Sequence, residues 1–83
     1  MWHLKTKFGI FWVVPISEVK TTPQYLLGID DSELAFYTDA EQAAKDVHDQ
    51  ATGFLKWDIQ AQVKAPDHIT EWTSGEPQNW YKS

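Results

Sequence analysis

One helix whose inward stripe is almost entirely alanine limits what this chain can become. Thr38-Asp39-Ala40-Glu41 reads as a capping box, in which the threonine accepts from the amide three residues on and the glutamate reaches back. Ala40, Ala43, Ala44, Val47 and Ala51 follow at helical spacing, and Thr52-Gly53 supplies the stop. Side chains this small let the helix lie close to a sheet whose own side chains are bulky, so the rest of the chain has to provide that sheet.

It carries the patterns to do so. From Trp2 to Val14 the residues alternate with period two, and Ile10 to Val14 is apolar on both phases, as in a strand covered on both sides. Residues 2–14 are either one strand bulged at Gly9 or a hairpin with its tip at Phe8-Gly9. Pro15 ends the run, and residues 17–24 read as a loop. Tyr25–Ile29 and Leu34–Tyr37 read as a hairpin turned by Asp30-Asp31-Ser32-Glu33. After the helix, Phe54 to Lys64 alternates again, with Leu55, Trp57, Ile59, Ala61 and Val63 on one phase, which predicts a half-buried strand. Asp67 begins a short helical turn through Trp72, and an aromatic tail follows.

The expected fold is therefore α+β: a small, mostly antiparallel sheet of three to five strands with one helix packed on one face, in the order β(β)-β-β-α-β. Residues 1–72 form the domain and 73–83 the tail, and Trp72 with Trp80-Tyr81 either folds back to seal the open side of the sheet or serves as a recognition peg. With 83 residues and no cysteine, the chain has neither disulfides nor cysteine-ligated zinc to staple it, so apolar burial has to hold it. Five tryptophans serve that need first. Met1-Trp2-His3-Leu4-Lys5 opens no unbroken apolar run of the signal-peptide kind, and the longest apolar stretch is far below the roughly 20 residues of a membrane span. A cytoplasmic protein is expected.

Several segments together resemble a group of short bacterial proteins of unknown function: Gly9-Ile10-Phe11-Trp12, Leu26-Leu27-Gly28, Tyr37 through Val47, Thr52-Gly53, Trp57-Asp58, Pro66 and Glu71-Trp72. The resemblance spans residues 2–72 and implies no activity or catalytic residue. Leu34 through Ala44 also resembles the last strand and the helix of the plant ethylene-response DNA-binding domain, whose sheet reads a major groove. That family reads DNA with arginines and tryptophans, whereas all seven basic residues here are lysines.

Charge separates along the chain. Residues 1–29 hold Lys5, Lys7 and Lys20 against Glu18, whereas residues 30–83 hold four lysines against eleven acids, for a net charge of -5. Such acidity opposes a broad phosphate-binding surface. His3, His48 and His68 show no metal-ligand spacing, and the Asp30–Glu33 cluster reads as a turn rather than a cation loop. No nucleophile elbow is present, so neither an enzyme nor a cofactor is expected. The leading expectation is a non-enzymatic protein-interaction module, with a protein partner or a second copy as its target. It would use the sheet face opposite the helix around Phe11 and Val13, together with Trp72, Trp80 and Tyr81, since aromatics concentrate in binding hot spots. The alternatives are sheet-mediated nucleic-acid binding through Lys5, Lys7 and Lys20, and an acidic DNA-mimic inhibitor.

Overall fold

The computed structural model describes residues 1–16, 24–61 and 63–76. Five antiparallel strands form one sheet in the order β4-β3-β2-β1-β5, where β1 is Trp2–Thr6, β2 Gly9–Ile16, β3 Gln24–Ile29, β4 Ser32–Tyr37 and β5 Thr73–Ser74. Helix α1 (Ala40–His48) packs on one face of the sheet, and a single-turn helix α2 (Leu55–Asp58) and a 3-10 helix (Ile69–Glu71) complete that layer.

The N-terminal alternation resolves into a hairpin. Thr6 pairs with Gly9 across the Lys7-Phe8 turn. The Thr6 hydroxyl donates to the Gly9 carbonyl at 2.7 Å and accepts from the Phe8 amide at 3.1 Å, which fixes the turn from inside. Gly9 sits at φ +139°, and a Cβ there would stand 2.5 Å from the Asp30 carboxylate, so both dihedral and space favour glycine. The second hairpin turns at Asp30-Asp31, with Asp30 in the left-handed region at φ 49°. Asp30 also ties the two hairpins together. Its carboxylate accepts from the Ile10 amide at 2.9 Å, and its own amide donates to the Ile10 carbonyl at 3.0 Å.

Phe11 and Val13 do not lie on the face away from the helix. Both are fully buried, in one cluster with Leu27, Ile29, Ala43, Ala44, Val47, Trp57 and Trp72. Because β2 is apolar on both phases, alternation alone does not reveal which phase meets α1. The opposite face carries Trp12 and Leu26, both buried, with Phe36 61% exposed on the edge strand β4.

The helix begins and ends elsewhere than the capping box predicts. Asp39, not Thr38, is the N-cap, and its carboxylate accepts from the Glu41 amide at 3.0 Å. Glu41 does not reach back. Its carboxylate instead accepts from the Ile69 amide at 3.2 Å and lies 3.5 Å from His68, which anchors the 3-10 helix to α1. The helix stops at His48 because Gln50 adopts a left-handed φ of 58°, and Ala51 is left exposed.

Among the described residues of Phe54 to Lys64 none lies in a strand, and Leu55–Asp58 is helical. The fifth strand is Thr73–Ser74, read from the sequence as the start of the tail, and it pairs with Trp2 and His3. The Gly75 amide donates to the Met1 carbonyl at 2.7 Å, and the Gly75 carbonyl lies 2.7 Å from His3 Nδ1.

Candidate functional site

Of the residues expected to form a binding face, three are accounted for by folding. Phe11 and Val13 are core, and Trp72 is 4% exposed within the same cluster, its indole N–H aimed at the Pro66 carbonyl at 3.5 Å. Trp80 and Tyr81 lie outside the described residues, as does Lys20. The histidines occupy separate local roles: His3 at Gly75, His48 Nδ1 at the Ala65 carbonyl at 2.7 Å, and His68 beside Glu41 and Asp67. Among the described residues no group of three or more potential ligands is arranged to hold a metal ion.

What replaces the expected strand at 54–64 creates the surface features. Gly53 turns at φ +87°, and the Asp58 carboxylate reaches back over the turn. One of its oxygens accepts from the Thr52 amide at 3.1 Å and the Thr52 hydroxyl at 2.8 Å, and the other from the Gly53 amide at 2.8 Å. The Thr52 hydroxyl in turn accepts from the Phe54 amide at 3.1 Å. Gln50 closes the far side by donating to the carbonyls of Trp57 and Gln60. This clasp winds residues 55–58 into one helical turn, so residues two apart no longer share a face and residues four apart do.

Trp57 consequently points inward. It is 1% exposed, its indole N–H donates to the Val47 carbonyl at 2.8 Å, and its ring meets Phe11 and Phe8 edge-on with centroids 5.2 and 6.1 Å away. Leu55 and Ile59 point outward, 71% and 73% exposed. Two branched aliphatic side chains thus stand beside each other in water, four residues apart on α2 and its C-cap.

Beside α2 lies an open cleft of about 200 Å³. Its apolar lining comes from Leu4, Phe8, Trp57 and Val63, and Lys5, Lys7 and Lys64 border it, all three exposed. Among the described residues lining this cleft none carries a carboxylate. Three of the seven lysines of an acidic chain therefore meet at one concave place. The sequence holds Lys5 and Lys7 together on the basic N-terminal part, and the fold brings Lys64 to the same cleft.

A second polar cluster lies at the junction of β4 and α1. The Tyr37 hydroxyl donates to Asp46 at 2.7 Å, and Gln42 donates to the other Asp46 oxygen at 3.0 Å. Burial, reinforced by the Asp46 carboxylate, holds the Tyr37 phenol well above its ordinary value of 10.0. This cluster fastens helix to sheet. Among the described residues every buried side-chain nitrogen or oxygen has a hydrogen-bond partner, and no helix is long and apolar enough to cross a membrane. Comparison with protein-family models, curated proteins and solved structures finds no match for this chain.

Proposed function

We propose that this protein is a non-enzymatic protein-interaction module and that Leu55 and Ile59 form part of its contact surface. The observation that carries the reading is their exposure. Folding accounts for Trp57 between them, since it fills the core, but gives the two aliphatic neighbours no partner in the core cluster among the described residues. Burying one such side chain against a partner contributes about 1.5–3 kcal/mol, so an adjacent pair is a useful anchor.

The test compares the wild type with a Leu55→Ser, Ile59→Ser double variant. Surface substitutions of this kind shift stability by no more than about 0.5 kcal/mol each, so the variant should fold. Sedimentation across dilution, with cross-linking mass spectrometry from native cell extract, should show association by the wild type with cross-links adjoining α2, lost in the variant. A wild type that stays monomeric and yields the same cross-links as the variant would overturn the proposal.

A further inference from the structure

We infer that the free edge of β1 at Lys5, together with the cleft beside it, is a docking site for a short, extended, acidic peptide segment of a protein partner. It rests on the reading of the chain as an interaction module but uses a different surface from Leu55 and Ile59.

The backbone of Lys5 faces outward, and two independent observations fix this. Ile10, its cross-strand neighbour on β2, exchanges its amide and carbonyl with Asp30 on the other side, so neither is available to Lys5. On the opposite edge the Gly75 amide donates to the Met1 carbonyl, and since hydrogen-bonded positions alternate along an antiparallel pair, Met1, His3 and Lys5 all turn their backbone groups toward β5. β5 spans only the positions opposite Trp2 and His3. The N–H and C=O of Lys5 project past its end, with no partner among the described residues.

An outward donor and acceptor on one residue form the minimal template for adding a strand. A partner residue opposite Lys5 would exchange two hydrogen bonds with it, and its side chain would lie on the Lys5 face of the sheet, where a carboxylate meets the Lys5 ammonium across the strands. The next partner residue faces the other way, toward the cleft, whose apolar lining suits one aliphatic or aromatic side chain. Lys7 and Lys64 flank that path with no carboxylate among the described lining residues, so charge selects an acidic segment in which acidic and apolar residues alternate.

The experiment uses the full chain, isotope-labelled, titrated at low salt with a capped peptide of alternating glutamate and valine and with its lysine-for-glutamate counterpart. The acidic peptide should shift the amides of Lys5 to Phe8 and of Val63 and Lys64, and it should slow hydrogen exchange at the Lys5 amide. A Lys5→Gln, Lys7→Gln, Lys64→Gln variant should bind about tenfold more weakly, with three exposed charge pairs each contributing a factor of about two. Lys5→Pro removes the outward N–H without touching the β1–β2 ladder, a position where an edge strand tolerates proline, and it should abolish the slowed exchange pattern at neighbouring residues. The Leu55→Ser, Ile59→Ser variant should bind the peptide as the wild type does, which separates failure of this site from failure of the α2 surface. Equal binding of both peptides, shifts centred elsewhere, the same shifts produced by free glutamate alone, or occupation of the edge by a second copy on concentration would each overturn the inference.

Discussion

The benzene edge of the Trp12 indole occupies the space where residue 28 would carry a side chain. A Cβ on Gly28 would stand 2.1 Å from Trp12 Cζ2, 2.3 Å from Cη2 and 2.5 Å from the Ser32 carbonyl oxygen. The indole N–H reaches on to donate to the Asp30 carbonyl at 2.8 Å. Trp12 thus lies across β3 from its place on β2. Gly28 is required for room and not for an unusual dihedral.

Gly28→Ala should therefore destabilise the fold by about 3 kcal/mol, the upper range for forcing a methyl into a packed site. Urea unfolding followed by tryptophan fluorescence measures it. Trp12→Leu in the same chain should remove part of the penalty, so that the double variant loses less than the two single variants combined. Strict additivity would contradict the direct opposition of ring and backbone.

Asp58→Ala should cost about 2–3 kcal/mol, because it strands the part-buried Thr52 amide and hydroxyl, removes the acceptor of the exposed Gly53 amide and leaves α2 without its clasp. Thr52 is 5% exposed, so water cannot replace the carboxylate there without rearrangement. The expected signature is a lower urea midpoint with faster amide exchange over residues 52–59. An unchanged midpoint would show that α2 holds its place through Trp57 alone.

Tyr37 predicts an alkaline limit to stability. Its folded value is raised above the ordinary 10.0 of the unfolded chain, so the folded state keeps a proton that the unfolded state releases. The stabilisation is complete below pH 10 and is lost as pH rises from there through the folded value. Thermal melting of the wild type should fall with pH above 10 more steeply than that of Tyr37→Phe, which has no such proton to release. Parallel melting curves for the two proteins would exclude the link.

Much of the sheet was legible because its pattern repeats. β1 to β4 follow alternation and turn residues that act locally, and α1 follows an alanine stripe that tolerates a one-residue shift of its cap. Two features were not legible, each for a physical reason. Alternation is blind to which face meets the helix when both phases are apolar, as at Ile10 to Val14, so the pattern alone does not place Phe11 and Val13 on the helix side. The alternation of Leu55, Trp57 and Ile59 imitates a strand, but three hydrogen bonds to one carboxylate wind the backbone, and only Trp57 is buried. Thr52 and Asp58 are six residues apart, beyond the three- and four-residue spacings that mark helical neighbours, and as a strand pattern the same spacing points to no contact between them. The cleft was equally illegible, since Lys64 is far in sequence from Lys5 and Lys7 and meets them only in the folded chain.

The short last strand sets an order of events in time. The hairpins β1–β2 and β3–β4 close over two-residue turns, whereas β5 pairs across nearly the whole described chain, Ser74 with Trp2 and Thr73 with His3. Contacts that distant form late, and two paired residues hold them weakly. β5 is therefore expected to dock last and to release first, with amide exchange fastest there within the sheet. Each release adds the outward groups of Met1 and His3 to those of Lys5, so the length of edge on offer is set by the opening equilibrium of a two-residue strand.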